Sequence, residues 1–118
     1  MDPQTVIRAL GALAQDHRLA AFRLLVQAGE GGLPAGALAG RMGLAASSLS
    51  FHLAALTHAG LITQRRQSRS IIYTANYAAM NALIDYLSEN CCGGVACADT
   101  PMRCPPPISD GQATQEVA

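Results

Sequence analysis

The chain has 118 residues, half of them hydrophobic, and its acidic and basic residues are equal in number. This length predicts one domain with a tail, and no apolar run is long enough to predict a transmembrane helix. The first ten residues, MDPQTVIRAL, include an early acid and lack the basic start of a secretory signal. We therefore expect a cytoplasmic protein that does not span a membrane.

The charges are unevenly distributed although their sum is zero. Residues 1–90 hold seven arginines and five acids, whereas residues 91–118 hold one arginine and three acids. Three of the arginines, Arg65, Arg66 and Arg69, lie within five residues of sequence. Local clustering of this kind is typical of a surface that meets a phosphate backbone.

Apolar spacing and helix-ending residues predict three helices in the first part of the chain. The first covers residues 4–14. The second begins at Asp16, which we expect to be its N-cap, and ends at Gly29. The third is short, with Pro34 at its start and Gly43 after its end.

A fourth helix is predicted from Ala46 or Ser47 to His58. Leu49, Leu53 and Leu56 recur at helical spacing and predict one buried stripe. The opposite face has short, mostly hydroxylated side chains and no acid, so it can approach DNA closely. The residues of this helix expected to contact DNA are Ser47, Ser48, Ser50, Phe51 and His52. For His52 a structural role is an equal alternative, and His17 and His58 are expected to be helix-end residues without a site.

Residues 61–63 and 70–74 predict two strands, and the polar segment 64–69 between them predicts the tip of a hairpin. A last helix is predicted over residues 77–90, followed by a Gly- and Pro-rich loop. This order of elements is a winged helix-turn-helix, a mainly α (α+β) fold with a two-stranded wing. The three clustered arginines would then contact phosphates or the minor groove, or form a solvated hairpin tip. We expect residues 1–90 to be the DNA-binding and dimerisation domain and residues 91–118 to be an inducer-binding tail.

The first and last helices carry more apolar side chains than a monomer needs, which predicts a homodimer. The alternative is that these side chains belong to the core of one chain. A two-fold dimer would place two fourth helices on an imperfect palindrome in double-stranded operator DNA. The predicted interface residues are Val6, Ile7, Leu10, Met80, Leu83 and Leu87.

Four segments together resemble the ArsR/SmtB family of metalloregulatory repressors over roughly residues 4–92. They are Asp16–Leu19, Leu49–Leu53, His58–Ile62 and Arg69–Tyr73. The resemblance implies a homodimer that binds operator DNA and releases it when a metal or metalloid binds. It implies no enzymatic activity and no catalytic cofactor.

The chain differs from many arsenic-responsive members of that family before its fourth helix. Pro34 and Gly36 occupy the positions of their cysteine pair. The histidine and carboxylate pairs that zinc-responsive members use are missing as well, because residues 77–90 contain no histidine. The segment Ser88–Gly94 instead resembles the subgroup with cysteines after the last helix.

All four cysteines lie in a stretch of 14 residues that follows the last predicted helix. Thiolates are soft ligands that select soft ions, and three of them suit As(III) or Sb(III). Because Gly93 and Gly94 let the chain reverse, Cys97 can join the adjacent pair Cys91 and Cys92. We predict these three cysteines as the ligands of an As(III) or Sb(III) inducer, with Cys104 as a substitute or accessory thiol.

Other functions of the same thiols remain open. Four cysteines can hold structural zinc, although the usual C-x₂-C spacing is missing, and a zinc- or cadmium-sensing regulator is one alternative. A redox switch that forms disulfides is another, and tail cysteines without function are a third. A thiol enzyme is not supported, because the sequence has no C-x-x-C motif.

Overall fold

The computed structural model of the chain describes residues 1–94. Five helices and three strands make up this part, and a single 3-10 turn follows the last helix. In chain order the elements are α1 Pro3–Leu13, α2 Asp16–Ala28, β1 Leu33–Pro34, α3 Ala35–Met42, α4 Ala46–His58, β2 Ile62–Gln67, β3 Ser70–Ala75, α5 Tyr77–Ser88 and the turn Cys91–Gly94.

The helix ends follow local side-chain chemistry. The Asp2 carboxylate accepts a hydrogen bond from the Thr5 N–H at 3.3 Å, which starts α1 and lowers the pKa of Asp2. The predicted N-cap of α2 was wrong, because Gln15 and not Asp16 accepts from the Arg18 N–H, at 3.0 Å. Asp16 lies instead in the first turn, where its negative charge interacts favourably with the positive end of the helix dipole.

The sheet has three antiparallel strands in the order β1-β3-β2. The predicted hairpin is confirmed, but it is longer than expected, because β2 and β3 pair from Ile62 opposite Ala75 to Gln67 opposite Ser70. Arg65 and Arg66 therefore lie within a strand rather than at a tip. The strand β1 was not predicted, since two residues are too few to show a period.

The predicted stripe of α4 is confirmed as the centre of the core. Leu49, Leu53 and Leu56 are at most 1% exposed. They pack in a core whose other fully buried large side chains are Leu25, Leu38, Leu61 and Ile62. Burying one leucine stabilises the fold by about 2 kcal/mol, so α4 is fixed chiefly by its inner face.

Asn76 holds the base of the wing where three elements meet. Its backbone N–H donates to the Leu61 carbonyl at 2.8 Å, and its side-chain Nδ2 donates to the Gly60 carbonyl at 3.0 Å. Its Oδ1 accepts from the Ala79 N–H at 3.1 Å in the first turn of α5. One side chain thus fixes the corner between α4 and β2 and also starts α5.

The chain divides into two compact units, of which the first is residues 1–83. This unit contains α1 to α4, the sheet and the first half of α5. The second unit begins at Ile84, and its described part holds the end of α5 and the turn Cys91–Gly94.

No helix in residues 1–94 combines the length and the apolar character that crossing a membrane requires.

Candidate nucleic-acid interface

The outer face of α4 is exposed and free of acidic side chains. Ser47, Ser48, Ser50 and Phe51 all lie on it, and 67% of the Phe51 side chain is accessible. The chain has no Asp or Glu between Glu30 and Asp85, so α3, α4 and the wing contribute no carboxylate. Such a surface carries no charge that would repel a phosphate backbone.

A cleft separates α4 from the wing. One wall of the cleft is formed by residues of α4 at helical spacing, and the other is formed by one cross-strand pair of the hairpin. The lining residues are Ser50, Ala54, Thr57, His58, Gln64 and Tyr73. Of these six residues, only Ser50 was predicted from the sequence to contact DNA. The spacing Ser50, Ala54 and His58 was the available signal, since residues i, i+4 and i+8 share a helix face.

The wing arginines lie on different faces of the hairpin, because side chains alternate along a strand. Side chains of paired residues lie on the same face of a sheet, and successive residues alternate. Gln64 pairs with Tyr73, and both line the cleft, so Arg66 and its partner Ile71 share the cleft face. Arg65 consequently lies on the opposite face, whereas Arg69 lies in the turn between the strands.

The guanidinium of Arg65 has partners within the protein. Its Nη1 donates to the Glu30 carbonyl at 3.4 Å and to the Thr74 hydroxyl at 3.2 Å, and its Nη2 donates to the Gly31 carbonyl at 3.1 Å. The sequence predicted Arg65, together with Arg66 and Arg69, as a DNA contact or as part of a solvated hairpin tip. These hydrogen bonds give it a different local environment from Arg66 and Arg69.

His52 lies on the flank of α4, between the buried stripe and the exposed face. Its ring centroid is 5.4 Å from that of His17 on α2 and 5.8 Å from that of Phe51. Among the described residues, its buried Nδ1 has no hydrogen-bond partner, and neither has the buried Nε of Arg18. Burial, then the neighbouring charges of Arg18 and His17, hold the pKa of His52 below its ordinary value of 6.5. His17 was expected to be a helix-end residue, and it does lie in the first turn of α2, but its ring contact with His52, which joins two helices, was not predicted.

We expect acid to destabilise the protein through His52. The unfolded chain takes up this proton at a higher pH than the folded chain does, so the free energy of unfolding falls as pH is lowered from above 6.5 through the folded-state pKa. Urea unfolding at several pH values, compared with His52→Gln, measures this contribution. Parallel pH curves for the two proteins would show that His52 does not titrate in this way.

The predicted thiol site lies partly outside the described residues. Cys91 is half-buried and Cys92 is exposed, with two residues between Cys91 and the end of α5 at Ser88, whereas Cys97 and Cys104 fall beyond residue 94. Cys92 and Gly93 have φ of 57° and 70°, in the left-handed region, and the predicted return of the chain to Cys97 lies outside the described residues. Within residues 1–94 no three His, Cys, Asp or Glu side chains are grouped so that they could hold a metal ion.

The predicted dimer residues divide between core and surface. Val6 and Leu83 are buried within the chain, at 4% and 7% exposure, and Met80 is half-buried. The remaining three are the exposed large apolar side chains Ile7, Leu10 and Leu87. Two of the six positions therefore serve the core, and three remain available to a partner.

The fold and the acid-free face of α4 define a helix-turn-helix protein of the DNA-binding class. The family model described as a helix-turn-helix domain matches residues 13–65. The transcriptional activator HlyU of Vibrio cholerae is 32% identical over 83 residues, which are 70% of this chain and 74% of that protein. The transcriptional regulator YgaV of Escherichia coli is 35% identical over 67% of this chain and 80% of its own length.

Solved structures agree with these sequence matches. An ArsR-like transcriptional regulator from Rhodococcus has a TM-score of 0.65 at 26% identity, over 72% of this chain and 77% of that one. A homodimeric winged helix-turn-helix domain from Mycobacterium bovis, a possible ArsR-family regulator, has a TM-score of 0.59 at 29% identity, over 74% and 81%. A possible transcriptional regulator for arsenical resistance has a TM-score of 0.56 at 30% identity, over 68% and 83%. The chain belongs to the ArsR/SmtB family of DNA-binding transcriptional regulators.

Proposed function

We propose that this regulator is a homodimeric repressor that leaves its operator when As(III) or Sb(III) binds the cysteines after α5. The proposal that the protein binds DNA is supported by the exposed, acid-free face of α4 beside the cleft to the wing. The inducer part rests on the cysteine cluster, which is confined to the end of the chain.

On DNA, α4 lies in the major groove and its hydroxyl groups meet base edges or phosphates. Ser47, Ser48 and Ser50 can each donate and accept hydrogen bonds. Phe51 offers an apolar contact suited to a thymine methyl group. Arg66 and Arg69 extend from the wing towards the phosphate backbone, which fixes position rather than sequence.

Dimerisation through α1 and α5 would cover the large apolar side chains that these two helices leave exposed in one chain. Ile7 is 62% exposed and Leu87 is 60% exposed. Covering such side chains is favourable, because each removes apolar surface from water. The homodimeric Mycobacterium bovis relative supports a dimer.

The inducer site combines the adjacent Cys91 and Cys92 with Cys97, and Cys104 is the accessory thiol. Three soft thiolates without a nitrogen or carboxylate ligand favour a thiophilic metalloid. The structural similarity to a possible regulator for arsenical resistance supports this choice. Capture of the ion at the end of α5 would favour a dimer arrangement that holds DNA less tightly, with coupling of about 1–3 kcal/mol.

A binding assay with the full chain and its own upstream promoter fragment tests this function. Arsenite, zinc and hydrogen peroxide are titrated in parallel against the preformed complex. We expect arsenite alone to release the DNA. Release by peroxide would favour a redox sensor, release by zinc a zinc or cadmium sensor, and no release by any of the three would leave only the DNA-binding part of the proposal.

A further inference from the structure

We propose that Arg65 is a positioning residue that fastens the wing to the turn between α2 and β1, and does not itself bind a phosphate. The inference rests on the proposed contact between the wing and DNA. It assigns different tasks to Arg65 and Arg66, two arginines that are adjacent in the sequence.

The Arg65 guanidinium donates hydrogen bonds from both of its Nη atoms. Nη1 donates two hydrogen bonds and Nη2 donates one, at distances of 3.1 to 3.4 Å. The three acceptors are two backbone carbonyls and one hydroxyl, all uncharged. A planar guanidinium can serve acceptors on two sides at once, whereas the ammonium of lysine is a point charge on a flexible stem.

The turn that supplies the two carbonyls is itself fixed against β3. The Gly32 N–H donates to the Gly29 carbonyl at 3.1 Å and closes the turn. Gly32 has a φ of 71°, and a Cβ at this position would collide with the Tyr73 carbonyl oxygen and lie 2.9 Å from the Thr74 hydroxyl oxygen. Only glycine fits so close an approach, so Arg65 binds to a turn that is already docked on the sheet.

Apart from the backbone pairing of β2 with β3, the outer part of the hairpin has little packing to hold it. Every residue from 63 to 71 is exposed, so burial of side chains contributes little to the position of this segment. Arg65 ties the middle of β2 to a fixed turn on the face opposite the cleft. This connection sets the direction in which Arg66, on the cleft face, and Arg69, in the turn, are presented.

Hydrogen exchange of the full chain without DNA tests the fastening directly. The variant Arg65→Lys keeps the positive charge and loses the two planar donor groups of the guanidinium. Arg66→Lys is the matched control. We expect the amides of β2 and β3 beyond Gln64 to exchange about tenfold faster in Arg65→Lys, because about three hydrogen bonds of modest net strength are lost. Arg66→Lys should exchange like the unaltered protein. Unchanged exchange in Arg65→Lys would overturn the proposal.

Operator binding of the same variants separates fastening from direct charge contact. We expect Arg65→Lys and Arg65→Gln to weaken binding alike, by about tenfold, while the slope of log affinity against log salt stays unchanged. Arg66→Gln should reduce that slope by about two, for one phosphate in each subunit. If Arg65→Lys binds normally and only Arg65→Gln loses affinity, Arg65 is a charge contact and the proposal fails. Faster exchange with unchanged affinity in every wing variant would instead remove the wing from DNA binding and leave the fastening in place.

Discussion

The double variant Cys91→Ser, Cys92→Ser should bind its operator normally and no longer release it with arsenite. A serine hydroxyl has nearly the volume of a thiol, but it is a hard, protonated group that does not bind As(III). The full response, about 5- to 150-fold in operator affinity for a coupling of this kind, should therefore disappear. Fluorescence anisotropy of a labelled promoter fragment, titrated with arsenite, measures both affinities.

Two single variants are the matched controls for that experiment. Cys97→Ser should lose the response as the pair does, whereas Cys104→Ser should retain most of it, because Cys104 is the accessory thiol. The opposite result would exchange the roles of these two cysteines and keep the site. Normal release of DNA from the double variant would remove Cys91 and Cys92 from the mechanism altogether.

The variant Phe51→Glu should lose operator binding by a factor of at least about 100. It places a carboxylate on the exposed face of α4, where the protein has no acid, and a homodimer carries the change twice. Like charges brought together in an interface cost several kcal/mol, and the phosphate backbone is the opposing charge. Phe51→Ala, which only removes apolar contact, should have a much smaller effect. Gel-shift titration at fixed salt concentration compares the three proteins.

Leu19→Glu is the control for net charge in this comparison. Leu19 is also an exposed apolar residue, at 45%, but it lies on α2 rather than on the outer face of α4. Its variant has the same net charge as Phe51→Glu and should bind DNA within about threefold of the unaltered protein, as distant surface charges are screened. Equal losses in both variants would mean that total charge, and not the face of α4, controls binding.

Local chemistry determined most of the elements in advance. Leu49, Leu53 and Leu56 recur at helical spacing, so their burial follows from the sequence whatever the partner helices are. Gly43 was predicted to end α3 and does so with a φ of 66°. In both cases the deciding residues lie within one or two turns of each other, although the N-cap of α2, Gln15 rather than Asp16, was missed at equally short range.

Sequence patterns could not predict contacts between segments that are distant in the chain. Arg65 and Glu30 are 35 positions apart, and nothing in a cluster of three arginines distinguishes the one that lies on the face opposite the cleft. That distinction depends on the register of β2 against β3, which pairs Arg65 with Ile72 and Arg66 with Ile71. The predicted tip at residues 64–69 erred for the same reason, because cross-strand hydrogen bonds extend a strand through polar residues that show no apolar alternation.

The sequence by itself determined a winged helix-turn-helix of the ArsR/SmtB type, with an acid-free α4 and a cysteine cluster after its last helix. The order of elements, the missing acids and the position of the cysteines follow from periodicity, composition and spacing, which are properties of the chain before it folds, whereas the family type follows from the resemblance of four sequence segments. Only the tertiary structure decided that Gln64 and Tyr73 face α4 across a cleft, that His17 lies against His52, and that Arg65 binds a turn. Each of these depends on how helices and strands pack, and packing brings together residues whose neighbours in sequence give no sign of it.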